Sequence, residues 1–378
     1  MSGESDPSPI AADKTASAER PRTFPCAGCG ANLSFDIEAR QLKCPYCGHE
    51  QDLGLDPERS VGERDLIGEL AREAERRQEG RSPSTRRLVR CQDCGGETTF
   101  EGTLTSQNCP YCAAPIQVRD AHRAEDRVGV DGVLPFIVTD AKARDVFTGW
   151  VRTRWFAPTR FKDLSVQGAF QGVYLPFWTF DALTSTAYRG ERGDHYWVTV
   201  QRGKETVQER RTRWTPAAGS FRRFFDDVLV RGTQGNENSL PGKLLDRLDP
   251  WPLESCLPFT DAALAGFLAR TYDVDLSAAF ALGKSEMEAL IRSEVCRRIG
   301  GDEQRIHSVR SDFAALTFKH LLLPVWLRTY RFGGKPFRVM VNGATGEVCG
   351  ERPYSIWKIL GLVAGIAAAI TAIILATR

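Results

Sequence analysis

The chain has 378 residues, room for two small modules and one larger domain, and its 42% hydrophobic and 26% charged content is that of a globular protein. Fifty basic residues against 48 acidic ones leave a net charge of +2, which predicts no strong electrostatic partner for the molecule as a whole. Any contact with nucleic acid or lipid must therefore come from a local patch.

Residues 1–22 are rich in Ser, Pro, Ala and Glu and contain no apolar core. They read as a disordered leader rather than a cleavable signal peptide, which places the cysteines that follow in a reducing compartment. Eight of the eleven cysteines then form one pattern twice: Cys26-x2-Cys29-x14-Cys44-Pro-Tyr-Cys47 and, 65 residues on, Cys91-x2-Cys94-x14-Cys109-Pro-Tyr-Cys112. Each copy offers four soft ligands from two tight Cys-x2-Cys knuckles, the set that tetrahedral Zn2+ requires. The expected modules are zinc ribbons with rubredoxin-like knuckles over 23–52 and 88–118. Phe35 and Pro45-Tyr46 of the first copy map onto Phe100 and Pro110-Tyr111 of the second, as an internal duplication would leave them. Disulfides and iron are the alternatives. The absent signal peptide weighs against the first and the spacing against the second, so two structural zinc ions are expected. His49 adjoins the first site, but four thiolates already complete it, and a closed site leaves no open position for metal catalysis.

Between the ribbons, 53–87 reads as a charged helical spacer, with Leu66, Ile67, Leu70 and Ala74 forming a narrow apolar stripe that suits a spacer or a partner-binding helix. Pro83-Ser84 ends it. From 119 to 356 the pattern becomes that of a packed α+β domain. Thr139-Asp140 caps a helix carrying Val146, Phe147, Trp150, Val151 and Trp155, while 172–180 and 195–200 read as strands. Thr260-Asp261 is expected to cap a helix with Leu264, Phe267 and Leu268. Another helix carries Met287, Leu290, Ile291 and Val295 and ends at Gly300-Gly301. Strands are expected at 321–332 and 337–341, joined by Gly333-Gly334. The segments Val173-Tyr174-Leu175-Pro176-Phe177-Trp178 and Leu322-Leu323-Pro324-Val325-Trp326 look alike, which suggests a divergent β repeat with Trp178 and Trp326 as core and each proline at an edge or bulge.

The last element, 357–378, contains 18 uncharged residues at 359–376 behind Trp357 and Lys358. At about 1.5 Å per residue this run matches the hydrocarbon thickness of a bilayer, and it reads as a transmembrane tail anchor. With reduced cysteines and no signal peptide, residues 1–356 are expected on the cytoplasmic side of the inner membrane, with a single pass.

No enzyme motif stands. Ala278-x4-Gly283-Lys284-Ser285 meets a relaxed phosphate-loop pattern but lies in Ala- and Leu-rich sequence, better read as a junction between helices. His49, His122, His195, His307 and His320 are scattered, and Cys256, Cys296 and Cys349 stand alone among apolar neighbours, so no catalytic residue is expected. The stretch 202–223 holds Arg202, Lys204, Arg210, Arg211, Arg213, Arg222 and Arg223 around Trp214 and Phe221, and could touch nucleic acid or anionic lipid.

Several motifs together resemble one bacterial family: the twin Cys-x2-Cys…Cys-Pro-Tyr-Cys ribbons, Leu134-Pro135-Phe136 with Trp150, the Gly172-Val-Tyr-Leu-Pro-Phe-Trp-Thr-Phe-Asp181 run, Tyr188-x-Gly190-Glu-Arg-Gly193, and Val341-Asn-Gly-Ala-Thr-Gly-Glu347 before a tail helix. These are the tail-anchored twin-zinc-ribbon membrane proteins often labelled primosomal protein N-prime (replication factor Y) helicase-like, or transcription factor IIB-type zinc-ribbon proteins. The chain carries no helicase motor motif to match that label. Relatives of this type occur beside phage-shock and stomatin-like proteins, so the resemblance implies a non-enzymatic, membrane-anchored adaptor or scaffold that recruits protein partners in a membrane-stress response. The alternative is a membrane-associated nucleic-acid-binding protein of replication-accessory type, using the ribbons and the 202–223 stretch.

Overall fold

The computed structural model describes residues 24–52, 60–78, 86–90, 97–101, 104–108, 115–117, 127–158, 160, 170–203, 205–234, 242–332 and 335–376. The expected leader therefore lies outside the described residues, as do Pro83-Ser84, Gly333-Gly334 and His122. The architecture is mixed α+β. In chain order it runs β1 (Ser34–Asp36), β2 (Gln41–Lys43), β3 (Glu50–Gln51), β4 (Arg64–Asp65), α1 (Leu66–Gln78), β5 (Arg86–Arg90), β6 (Glu97–Glu101), β7 (Leu104–Asn108), β8 (Pro115–Gln117) and β9 (Gly132–Val133). It continues with α2 (Asp140–Arg152), β10 (Gln171–Arg202), β11 (Glu205–Arg231), a one-turn α3 (Gly242–Leu245), β12 (Leu257–Pro258), β13 (Leu268–Arg270), α4 (Leu276–Ile299), β14 (Glu303–Phe332), β15 (Lys335–Asn342), β16 (Val348–Gly350) and α5 (Ile356–Ala376).

Three long strands dominate. β10 pairs antiparallel with β11 along one edge and with β14 along the other, and its 32 residues extend for roughly 100 Å. The root of this ribbon, about 173–182, is buried continuously, and beyond it burial alternates with period two. Both textures follow from what covers the sheet. At the root, α2 with Phe147 and Val151 packs on one side, beside Tyr174, Leu322 and Trp326. Leu244, Leu245, Leu248 and Trp251 pack against Leu175, Phe177, Leu323 and Val325. A strand buried on both faces reads as an unbroken apolar run. Farther out, α4 covers one face only. Met287, Ile291, Val295 and Ile299, spaced by four, meet Phe180, Phe221, Phe225 and Phe318.

Pro176 and Pro324 do not sit on edge strands. Both lie in the two central strands, in segments that pair directly with each other, Tyr174 opposite Pro324 and Pro176 opposite Leu322. Each proline occupies the point at which its strand changes its second neighbour. β10 leaves β13 after Tyr174 and takes up β11 from Phe177; β14 leaves β9 after Leu322 and takes up β15 from Val325. A missing N–H is tolerated where no ladder continues. Each proline carbonyl still accepts a bond, from Gly232 and Gly343 respectively, at 2.8 Å in both cases. Trp178 and Trp326 are core, each donating its indole N–H to a carbonyl, that of Val274 or Val138.

Several elements differ from the sequence expectation. The strands expected at 172–180 and 195–200 are one strand, and the expected 321–332 strand starts at Glu303, because the outer ribbon has too few apolar residues to signal itself. Thr260-Asp261 opens only a single 3-10 turn, Asp261–Leu264, and Leu268 begins a strand instead. α2 forms with Thr139 as its cap, Oγ1 accepting from the Lys142 amide, but Trp155 lies past its end and is exposed. α1 packs on β14 and α4 rather than standing clear of the body. It buries Leu66 together with Glu69 and Glu73, while Ile67 faces solvent. Glu69 is held there by Arg64, Arg72 and Arg76.

Candidate metal centre and apolar C-terminal helix

Cys26, Cys29, Cys44 and Cys47 converge so that their sulfurs all lie within 4.8 Å of one another. Cys26 Sγ is 3.5 Å from Cys47 Sγ, and Cys29 Sγ is 3.5 Å from Cys44 Sγ. A disulfide would bring two sulfurs to about 2.05 Å. Four thiolates about 2.3 Å from a tetrahedral ion would instead stand about 3.8 Å apart, so the spacing fits a metal ion and not a pair of bridges.

The two knuckles are built alike. Gly28 N–H donates to Cys26 Sγ at 3.3 Å and Cys47 N–H to Cys44 Sγ at 3.5 Å. Gly30 and Gly48 close the turns at φ 74° and 72°, a backbone region that favours glycine. Their amides return to the carbonyls of Cys26 and Cys44. The Cys47 amide, aided by that of Tyr46, lowers the Cys44 thiol to about 6. The His49 amide pulls Cys47 down, but the thiols of Cys29, Cys26 and Cys44 outweigh it and push Cys47 up to about 12. Thiols this close cannot all ionise without a cation between them, so the cluster has the chemistry of a metal ligand set. With four sulfurs used, the ion would have no open position.

The centre is docked on the body. Leu33, Phe35 and Leu42 form its small core with Ala265, and the Phe35 amide donates to the Ala265 carbonyl at 3.0 Å. Cys91, Cys94, Cys109 and Cys112 lie outside the described residues, but strands around them are described: β5 pairs with β6, and β7 with β8. β7 joins the main sheet by pairing with β13. Ser106 Oγ donates to the Phe267 carbonyl and Thr105 Oγ1 to that of Ala269. Both cysteine segments thus meet the body at residues 261–270, a shared dock that no local pattern announces.

At the other end, α5 has 21 residues and buries none of them, and at about 1.5 Å per residue it spans roughly 30 Å. By length and composition it could cross a membrane. Its first turn is fastened to the body: the Ser355 amide donates to the Phe156 carbonyl at 2.8 Å, and Lys358 Nζ donates to the carbonyls of Ala157 at 2.7 Å and Trp155 at 3.2 Å.

The other candidates are dispersed. Residues 278–285 lie within α4, where the Asp275 side chain caps the helix on the Ala278 amide. A Cβ on Gly283 would come within 3.0 Å of Phe180, and Lys284 Nζ sits over the Phe313 ring. The glycine is there for close helix–sheet packing. The arginines of 202–223 alternate along β11, so Arg210 and Arg222 share the open face of the ribbon while Arg211, Arg213 and Arg223 fall on the face that carries α4. Cys256 is buried and raised to about 12, and Cys349 Sγ donates to the Arg247 carbonyl. His195 Nε2 lies 2.7 Å from Glu303 Oε1 at the far end of the ribbon.

No protein-family model and no solved structure matches the chain. Among curated proteins it is similar to the uncharacterized protein YdjG of Bacillus subtilis (strain 168), 23% identical over 359 residues that take in 91% of this chain and 94% of that protein. The likeness extends over nearly the whole of both chains and carries no activity with it.

Proposed function

We propose that this chain is a non-enzymatic adaptor, tail-anchored in the inner membrane with residues 1–356 in the cytoplasm, and that two structural zinc ions hold the segments it presents to protein partners. What carries this reading is the pairing of a closed four-cysteine centre, rigidly docked at 261–270, with an unburied apolar helix fastened to the same body. A closed ligand set builds a surface rather than a reaction site. The zinc would be held by Cys26, Cys29, Cys44 and Cys47 and, by the repeat of the pattern, by Cys91, Cys94, Cys109 and Cys112. Phage-shock or stomatin-like membrane proteins are the proposed partners, on the family resemblance alone. The nucleic-acid alternative draws less support, because the 202–223 arginines are divided between two faces.

The test is affinity purification of the solubilised full-length protein with mass spectrometry of what accompanies it, beside variants with the four cysteines of one centre changed to serine. Membrane-stress partners lost with either centre are the expected outcome. Nuclease-sensitive co-purification of replication proteins would move the assignment to the alternative.

A further inference from the structure

Asp181 sits where the ribbon loses its regular register. β11 opposes it with two residues, Asp226 and Asp227, and β14 opposes the next residue, Ala182, with Ala315 and Leu316. The two bulges turn Asp227 and Ala315 to φ 49° and 48°, and a bulge re-aims the groups beside it. The Asp227 amide, outside the ladder to β10, donates to Asp181 Oδ1 at 2.6 Å. The other carboxyl oxygen, Oδ2, lies 3.1 Å from Thr317 Oγ1, which is itself 2.9 Å from Glu63 Oε2. Glu63 stands just before β4, whose two residues pair with Thr317 and Phe318 of β14.

The hydrogens of this chain do not balance if both carboxyls are ionised. A threonine hydroxyl has one proton to donate and a carboxylate has none, so Thr317 can serve Glu63 or Asp181 but not both. One further proton satisfies all three groups: Asp181 Oδ2 carries it and donates to Thr317 Oγ1, and Thr317 donates to Glu63. Position assigns the proton to Asp181. Asp181 is 1% exposed and the Glu63 side chain 47% exposed, and an ionised carboxyl costs more in the buried place. Lys319 is already engaged, 2.7 Å from Asp227 Oδ1 and 4.0 Å from Glu63 Oε1. Burial, with the like charges of Asp227 and Glu63, raises Asp181 above the ordinary carboxylate value against the pull of the Asp227 amide and Lys319. Of the other charged or titratable groups nearby, Glu254 and Cys256 line a cavity with Asp227 and Lys319, Asp65 accepts from the Gly68 amide, and Arg64 is paired with Glu69 and Asp131.

We propose that Asp181 is a proton-binding site, and that its bound proton closes a clasp, from Asp181 through Thr317 to Glu63, which holds the segment before α1 on the ribbon. Ionisation of Asp181 turns the Thr317 hydroxyl towards it and takes the hydrogen bond from Glu63. A carboxyl that keeps its proton in the folded state contributes a hold that is whole at low pH and is lost as pH rises through its folded value. The stretch joins the first cysteine segment to α1, so the proton sets how firmly that helix is seated.

Two measurements on full-length, detergent-solubilised protein test the clasp. Infrared spectra at neutral pH should show the carbonyl stretch of a protonated carboxyl that D181N lacks and E63Q retains. Hydrogen exchange of residues 60–66, corrected for its intrinsic pH dependence, should show protection falling as pH rises through neutrality in wild type, by up to about tenfold per unit. D181N, whose amide can donate as the protonated acid does, should hold that protection without the slope. T317V, which removes the middle link, should lower protection about fivefold and flatten the slope. Should D181N misfold, E63Q at its exposed position keeps the test decisive: loss of the neighbouring charge should move the slope to lower pH. An infrared band unchanged in D181N, a wild-type slope retained in D181N, or a slope unmoved by E63Q would overturn the proposal.

Discussion

His320 is buried between Trp178, stacked at 4.4 Å, and Tyr272 at 5.3 Å. Its Nδ1 faces the carbonyls of Val128 and Gly129, and Nε2 has no hydrogen-bond partner among the described residues. Burial drives the imidazole down to about 4, so the folded protein holds it neutral with Nδ1 as donor. An unfolded chain binds the proton near pH 6.5. The stability this histidine provides is therefore whole above pH 6.5 and is lost as pH falls towards 4, by up to about 3 kcal/mol. Denaturant midpoints measured from pH 7.5 to 4 should fall with pH in wild type and fall less in His320→Phe. Burial raises Asp131 above the ordinary carboxylate value and gives it the opposite slope at the acid end of that range, which is why the difference between the two proteins, rather than either curve, isolates the histidine.

At the scale of elements, α4 shows how one stretch supports two readings until its neighbours are known. Ala278, Gly283, Lys284 and Ser285 have phosphate-loop spacing, yet the Asp275 cap starts a helix that runs unbroken to Ile299, where Gly300 at φ 68° ends it. Gly283→Leu should destabilise the protein by about 1–3 kcal/mol, because the added side chain meets Phe180 and Val230. Lys284→Ala should cost about 0.5–1 kcal/mol, the worth of an exposed cation–π contact. Thermal melts of the pair would show the opposite ranking if Lys284, and not Gly283, carried the role of this segment. The apolar spacing at Met287, Ile291 and Val295 made the second half of α4 legible. Its first half was not, since Ala279 and Gly283 signal burial only once the sheet beneath them is seen.

Across the whole molecule, the two cysteine segments share residues 261–270 as their seat, and α5 is fastened at a different place, beside β16. Loss of one metal centre should therefore unseat a cysteine segment without releasing α5, the candidate span. Cys44→Ser is expected to lower bound zinc from about two ions per chain to about one, and to expose 24–52 to protease, while the protein stays in the carbonate-washed membrane fraction. Metal analysis beside limited proteolysis checks both parts, and release from the membrane would show that the ends are coupled.

Local chemistry was readable in one dimension wherever ligands or neighbours lie close along the chain. The knuckle pairs Cys26/Cys29 and Cys44/Cys47, the Thr139 cap and the unbroken apolar run of α5 are of this kind, because each depends on spacings of a few residues. Only the tertiary structure decided the rest. The outer halves of β10 and β14 are strands by virtue of pairing with each other and with β11, not by their own apolar content. Pro176 and Pro324 are central because each falls in a gap between two successive neighbours. Residues 261–270 become a common seat for β1 and β7 only once the sheet is assembled, and sequence separation hides any contact that the folded backbone alone creates.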